Sequence, residues 1–485
     1  MSSHPPVLTP AYRLVIRLEI ANRPGMFAEV ARTIGARGGS LGAIDLVEAT
    51  GAKHVRDVTV DVPDEATGEQ LAADLRSLEG VSVRSVSDRT FLMHLGGKVA
   101  MTGRVSVRNR DDLSLVYTPG VARVCRAIAA DHERAWALTQ RANAIAIVSD
   151  GTAVLGLGNV GPLAALPVME GKSLLFADLA GISAFPLVIT PGTVAATVDA
   201  IVQFSAGFGG INLEDIAAPA CFEIERQLRV RLDIPVFHDD QHGTAIVVLA
   251  ALRNAAAVCK VPMAELRVVV LGAGAAGTAT ARLLRTAGVG HVVVCDRNGM
   301  LTTKRADLNA EKRSLAEELG ATGETRTLAE SIRDTNVFIG LSGPRLLTVE
   351  MIKTMARPRI VFAMANPEPE IDPVEAAAHV DILATGRSDY PNQVNNVLAF
   401  PGVFRGLLDA RASTVTTNME LAAAAALAES VPAELRSAEY ILPSVFDTQV
   451  VPAMAKAVSA AARADGVARR TGREEPAAGQ NSPVG

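Results

Sequence analysis

Val268-Val269-Val270-Leu271-Gly272-Ala273-Gly274-Ala275-Ala276-Gly277 carries an unbroken apolar stretch straight into a Gly-x-Gly-x-x-Gly turn. Apolar residues without alternation read as a strand buried on both faces, which places it in a parallel sheet. Residues 278–284 continue as a helix. In that context Gly272 permits the tight turn, Gly274 lets the backbone approach a pyrophosphate, and Gly277 allows close packing of helix on strand, with the helix N-terminus facing the phosphates. Residues Gly272, Ala273, Gly274, Ala275, Ala276 and Gly277 therefore form the expected dinucleotide cradle. About twenty residues on, Val292-Val293-Val294-Cys295-Asp296 reads as a second strand ending in an acid placed for the adenosine ribose. Asp296 favours NAD, because its charge repels the additional phosphate of NADP. Arg297, directly after it, is placed to receive that phosphate, so NADP stays open.

Upstream, Asn212-Leu213-Glu214-Asp215 and His238-Asp239-Asp240-Gln241-His242-Gly243 set four carboxylates inside otherwise apolar sequence. A buried carboxylate costs several kcal/mol unless it is paired or bound to a cation. Oxygen ligands without a zinc-type Cys/His set point to Mg²⁺ or Mn²⁺. Helix caps and surface ion pairs would explain either cluster alone. A nicotinamide site beside such a metal suggests oxidation of a hydroxy acid whose hydroxyl and carboxylate chelate the ion. Two proton-transfer candidates lie in the same region. Tyr117 follows Leu115-Val116 on a Pro-Gly turn. Lys172 precedes the apolar run Leu174-Leu175-Phe176, where desolvation would lower its pKa towards that of a base. Taken singly, Tyr117 reads as a packing residue and Lys172 as a loop charge.

The 485 residues suit about three domains, and a net charge of -5 with both signs interspersed argues against a nucleic-acid surface. Cys125, Cys221, Cys259 and Cys295 show no pairing or metal-binding rhythm, and no signal segment opens the chain, which points to the cytoplasm. Apolar runs such as 245–252, stopped by Arg253, look too short to span a bilayer. Residues 10–90 read as a βαββαβ, ferredoxin-like unit. Leu14, Ile16, Leu18 and Ile20 alternate along a first strand, Phe27, Val30, Ala31 and Ile34 follow at helical spacing, and Val58, Val60 and Val62 mark a third strand. Residues 91–105 read as a linker, 106–250 as a substrate and metal domain, 251–466 as a Rossmann-type domain with C-terminal helices, and 467–485 as a disordered tail. The fold class is α/β.

The first unit resembles an ACT domain in its Asn22-Arg23-Pro24-Gly25-Met26 turn and its Gly38-Gly39-Ser40-Leu41 segment. That resemblance implies an amino-acid effector held by Asn22, Pro24, Gly25, Met26, Gly39, Ser40 and Leu41, and a dimerisation module that binds nothing is the competing reading. The rest resembles the malic enzyme family, of the bacterial type. The matching segments are Tyr117-Thr118-Pro119-Gly120-Val121-Ala122, Ser149-Asp150-Gly151-Thr152, Glu170-Gly171-Lys172, the two acidic clusters, the glycine turn, Met364-Ala365-Asn366-Pro367 and Asn392-Gln393-Val394-Asn395-Asn396-Val397.

The resemblance implies that Glu214, Asp215 and Asp240 hold Mn²⁺ or Mg²⁺ and that Asp239 tunes the charge beside them. It implies that Lys172 removes the malate hydroxyl proton and that Tyr117 protonates C3 after CO₂ leaves. Asn366, Asn395 and Asn396 would orient the substrate. Where some members place an arginine after Ser149-Asp150-Gly151, this chain has Thr152-Ala153-Val154. Ferredoxin-like units often pair, so a homodimer or larger homo-oligomer is expected. The rival readings are a metal-dependent oxaloacetate decarboxylase and an inactive enzyme-derived sensor.

Overall fold

Leu14, Ile16, Leu18 and Ile20 are buried on one side of strand β1 (Arg13–Ala21), as their alternation requires. β1 lies antiparallel between β3 (Lys53–Asp61) and β4 (Val81–Asp88), and β2 (Ser40–Ala49) pairs outside β3, giving the order β2-β3-β1-β4. The helices Met26–Ala36 and Glu65–Ser77 bury Val30, Ile34, Leu71 and Leu75 against the apolar face. The other face is laced by cross-strand ion pairs, Arg13 to Asp61 and Arg17 to Asp57. The βαββαβ unit expected from the alternation is the unit observed, and it lies within Met1–Ala100. The computed structural model describes residues 12–154 and 156–469. The expected tail lies outside the described residues from 470 onward.

Residues Met101–Gly485 form the second unit, built on two sheets. In the first, β5 (Ala144–Ser149), β6 (Ser183–Val188), β7 (Gly210–Leu213) and β8 (Val236–His238) run parallel in the order β6-β5-β7-β8. The second contains β9 (Arg267–Leu271), β10 (His291–Asp296), β11 (Gly299–Met300), β12 (Val337–Gly340), β13 (Ile360–Ala363) and β14 (Ile382–Thr385). Its order is β11-β10-β9-β12-β13-β14, and only β11 runs antiparallel to its neighbour. Order reverses between β9 and β12, so the crevice at their carboxyl ends is where a doubly wound sheet binds its ligand.

The helix Thr244–Cys259 joins the two sheets through one core, in which its residues 245–252 meet Ile145 and Ile147 of β5 and Val268 and Val270 of β9. The break expected between residues 250 and 251 falls inside this helix. Arg253 is exposed on its surface and does not end it, because one charged position on the outer face leaves the buried stripe intact. For the same reason the apolar run is longer than expected. By length and composition the helical stretch Asp239–Cys259 is long enough to cross a membrane, but 67% of its apolar window is buried in this core. The start of the expected linker is the helix Arg89–His94, and residues 95–109 hold neither helix nor strand.

Phe176, Phe237, Phe400 and Phe404 knit the core beneath the acidic segments, with ring centroids 5.4 Å apart for Phe176–Phe404 and 5.7 Å for Phe237–Phe404. Truncating the shared ring leaves a cavity that neither sheet can fill. Phe404→Ala should cost about 3–5 kcal/mol of stability, read from the shift of the urea midpoint of the second unit. A loss below 1 kcal/mol would contradict this packing.

Candidate active site

Glu214 and Asp215 follow the end of β7, and Asp239 and Asp240 follow the end of β8, its parallel neighbour. Parallel pairing therefore brings the two acidic clusters together at one edge. Carboxylate oxygens of Glu214, Asp215 and Asp240 lie within 4.8 Å of one another. The Asp215 amide donates to Asp240 Oδ2 at 2.9 Å, and Asp215 holds a left-handed backbone with φ 53°. Such strain persists at a non-glycine residue only where its surroundings dictate it. The loop Asp150–Thr152 supports the turn: Thr152 Oγ1 accepts from the Ala217 amide at 2.9 Å, and Ala153 N–H donates to Asp215 O at 3.0 Å. Thr152 thus ties down the backbone behind Asp215.

β8 passes into a π-helical turn, Asp239–Gly243, before the core helix begins. Wide turns of this kind recur at functional sites because they re-aim side chains. Gly243 is required there, since a Cβ at that position would fall 2.0 Å from Asp239 Oδ1. Burial first, and then the mutual repulsion of the carboxylates, push Asp215 up to about 8. Burial likewise pushes Glu214 and Asp239 up to about 7 against the pull of Lys172. The buried oxygens Asp215 Oδ2, Asp239 Oδ1 and Asn212 Oδ1 have no hydrogen-bond partner among the described residues. Converging, raised, partly unpartnered carboxylates are the donor set that a hard divalent cation takes.

Lys172 rises from the helix Pro162–Ala180 and is 6% exposed. Its Nζ contacts Glu214 Oε2, lies 2.5 Å from Asp239 Oδ2, and sits 4.5 Å from the centre of the Phe400 ring. Burial acts to lower its pKa, as the sequence suggested. Asp239, Glu214 and Asp240 outweigh burial and hold it above its ordinary value. The expectation of a depressed lysine is corrected on that ground: the desolvation is real, but the neighbouring negative charge exceeds it. Asn396 Nδ2 donates to the same Asp239 oxygen. Asn395 instead caps the short helix Asn396–Leu398 by accepting from the Val397 amide at 3.0 Å.

Sequence reading missed the support behind this cluster. His242 Nε2 lies 2.9 Å from Glu225 Oε1, and its Nδ1 lies 2.8 Å from Glu420 Oε1. Those two glutamates outweigh burial and raise His242 to about 10. Burial opposes the pairing at Glu225, which His242 and Arg229 nevertheless draw down to about 2. His242 was in view within the acidic segment, but Glu420 is remote in sequence and carries no local signal.

At the nucleotide half, a Cβ on Gly277 would fall 1.9 Å from Gly272 O, so the third glycine of the turn is obligatory. A cavity of about 850 Å³ lines Gly272, Ala273, Gly274, Asp296, Arg297 and Lys312. It continues to Ala218 and Pro219, three residues past Asp215. Asp296 is not a free carboxylate. Its Oδ1 accepts from Arg305 at 2.8 Å and its Oδ2 from Lys312 at 2.6 Å. The repulsion of a second phosphate expected from Asp296 is therefore offset by two cations, which local sequence could not reveal.

Tyr117 is not part of the buried cluster. It caps the helix Arg110–Val116, is 67% exposed, and its hydroxyl has no hydrogen-bond partner among the described residues. Asn366 is exposed after β13, with its carbonyl against Gly156. In the first unit, Gly25 precedes the helix Met26–Ala36, Met26 is buried, and Asn22 Nδ2 donates to Gly51 O at 3.2 Å. Gly39, Ser40 and Leu41 lead into edge strand β2.

A dinucleotide turn in a cavity that reaches Ala218, three residues past the Asp215 of a buried carboxylate cluster, defines a nucleotide-dependent oxidoreductase. Family models described as the malic enzyme N-terminal domain and the malic enzyme NAD-binding domain match residues 97–197 and 241–463. An NAD-dependent malic enzyme of Geobacillus stearothermophilus is 47% identical over 98% of this chain and 98% of its own. The bifunctional malic/malolactic enzyme of Bacillus subtilis is 49% identical over 77% of this chain and 92% of its own. The crystal structure of the malic enzyme from Pyrococcus horikoshii superposes with a TM-score of 0.74 at 45% identity, covering 77% of this chain and 89% of that one. The chain belongs to the malic enzyme family.

Breaking a buried ion pair by removing one partner costs about 3–5 kcal/mol, so His242→Ala should destabilise the second unit by that order in urea unfolding at pH 7. The sign with pH follows from the shifts. His242 is raised from 6.5 to about 10, so its contribution is complete below pH 6.5 and is lost as pH rises through about 10. The gap between wild type and variant should shrink over that window, and a constant gap would contradict the pairing.

Proposed function

We infer that this chain catalyses the oxidative decarboxylation of malate to pyruvate and CO₂, with hydride transfer to NAD(P). The observation that carries the reading is the convergence of Glu214, Asp215 and Asp240 beside Lys172, with the cavity of the glycine turn reaching Ala218, three residues past Asp215. We propose Glu214, Asp215 and Asp240 as ligands of Mn²⁺ or Mg²⁺. A divalent cation held there supplies charge stabilisation for the substrate hydroxyl and for the oxygen that becomes negative when CO₂ departs.

The chain's own residues then have distinct tasks. Asp239, Glu214 and Asp240 are what raise Lys172, so sharing those carboxylates with a cation removes the cause and frees Lys172 to accept the hydroxyl proton. Asp239 and the ring of Phe400 fix where Nζ points. Asn396, anchored on Asp239, and Asn366, at the end of β13, orient the substrate carboxylates. Asn395 serves the same role through the turn that it caps. After decarboxylation the Tyr117 hydroxyl protonates C3, and the resulting phenolate regains a proton from the Lys172 ammonium. The hydroxyl proton thus ends on C3, and the cycle closes without net proton uptake.

For the cofactor we propose NAD with NADP tolerated, because Arg305 and Lys312 neutralise Asp296 and Arg297 lines the same cavity. For the first unit we keep a regulatory role towards a small amino acid. Support comes from the helix Met26–Ala36, whose N-terminus behind Gly25 lacks a side-chain cap. Four free cysteines accord with a reducing cytoplasm.

Wild-type protein with malate, Mn²⁺ and NAD or NADP should generate reduced cofactor and pyruvate in equal amounts, and Lys172→Ala should lower kcat by about 10²–10⁴-fold. Release of CO₂ from oxaloacetate without any malate oxidation would replace this reading with that of a decarboxylase. Near-normal kcat in the variant would remove the role of Lys172.

A further inference from the structure

Glu370 is fully buried, and no ion pair reaches it among the described residues. A carboxylate so placed is costly unless its oxygens are satisfied. Two backbone amides satisfy them, one from each of two loops. Oε1 accepts from the Ser342 N–H at 3.2 Å, and Oε2 accepts from the Ala365 N–H at 3.0 Å. Burial pushes the pKa of Glu370 above the ordinary carboxylate value, and the amide donors pull against that rise. The carboxylate also fills a space that only a glycine leaves. A Cβ on Gly340, the last residue of β12, would fall 2.3 Å from Glu370 Cδ.

The two loops serve different halves of the site. Ser342 follows β12 and lines the cavity of the glycine turn together with Leu341 and Gly343. That loop also backs the turn, since a Cβ on Gly272 would fall 2.3 Å from Leu341 O. Ala365 follows β13 and precedes Asn366, the residue proposed above to orient a substrate carboxylate. Residues 364–367 do not line that cavity. Backbone bonds seat Glu370 against the first loop: Leu347 N–H donates to its carbonyl at 2.9 Å, and Arg345 N–H donates to Pro369 O at 3.1 Å. The side chain then reaches across to the second loop, beyond Gly340 and Ala363, where the paired residues of the two strands end.

We propose that Glu370 is a positioning residue for the reaction: its carboxylate braces the cofactor loop at Ser342 against the substrate loop at Asn366 and holds the two at one separation. The proposal rests on the malic enzyme reading given above. Glutamine separates this role from simple filling of space, because it has the same size and shape as glutamate. Its amide carries one acceptor oxygen, and its NH₂ group would face a backbone N–H, donor against donor. One of the two loops is thereby released. A misplacement of about 1 Å between reacting groups costs about 10²-fold in rate.

Steady-state kinetics and hydrogen exchange test it together. Glu370→Gln should lower kcat for malate oxidation about 10²-fold, while the KM for NAD stays within about threefold of wild type. Gly340→Ala should reproduce that loss with the carboxylate intact, because the added methyl group displaces it. Near-normal kcat in the glutamine variant would overturn the proposal. Hydrogen exchange reads the brace on wild-type protein without any turnover. Saturating NADH should slow amide exchange by at least about threefold across residues 364–367 as well as across 341–347, although the cavity touches only the latter. Glu370→Gln should lose the slowing at 364–367 and keep it at 341–347. No slowing at 364–367 in wild type would overturn the proposal even if both variants failed to fold, and so would a glutamine variant that keeps both effects. Should wild type fail to oxidise malate, the functional reading falls, and the brace stands or falls on the exchange alone.

Discussion

Lys172 offers one ammonium to a pocket that holds Glu214, Asp215, Asp239 and Asp240. Four carboxylates against one lysine leave an excess of negative charge in a place that, apart from Asp240, is shielded from solvent. Most of the local structure follows from containing that excess. Asp215 takes a left-handed backbone so that its amide can reach Asp240. The chain after β8 opens into a π-helical turn, and Gly243 leaves room for the Asp239 oxygen that a side chain would displace. Behind the turn, His242 binds Glu225 and Glu420, so the helix start is held by charge pairs that are complete in themselves. The carboxylates facing the cleft are the ones left over.

The same constraint explains why the two sheets share one core. Ala218, Pro219 and Phe222, which follow β7, line one cavity with Leu271 of β9 and Leu341 just past β12. The helix Thr244–Cys259 begins at the acidic turn and packs against both sheets, so it fixes the carboxylate cluster relative to the glycine turn. A hydride acceptor and its donor have to meet within about 3–3.5 Å for transfer. A rigid buried helix between their two binding surfaces serves that end better than a flexible hinge would.

Much of this was legible in the sequence because its signals are local. The glycine turn after an apolar run, the alternation of Leu14, Ile16, Leu18 and Ile20, and two acid pairs in apolar surroundings each depend on neighbours within a few residues. What escaped depends on partners remote in the chain. Asp296 reads as a bare acid until Arg305 and Lys312 fold onto it. Lys172 reads as a desolvated base until three carboxylates from two other strands surround it. Arg253 looks like the end of an apolar segment, although a helix accommodates one charge on its outer face. Tyr117 belongs to a segment whose apolar pattern promises burial, whereas Leu115, Val116 and Tyr117 stand exposed among the described residues.

Completion of the Glu214, Asp215 and Asp240 cluster by a divalent cation is the central proposal, and proton release on Mn²⁺ binding measures it directly. Glu214 and Asp215 are held at about 7 and about 8, so at pH 7 part of the cluster is protonated before metal enters. Calorimetric titration of metal-free protein with Mn²⁺, in buffers of different ionisation enthalpy, should show about one proton or more released per ion at pH 7. Affinity should rise between pH 6 and 8, and Asp215→Asn should weaken it by at least about tenfold. Mn²⁺ binding that is independent of pH, releases no proton and is unchanged by Asp215→Asn would contradict the account at its centre.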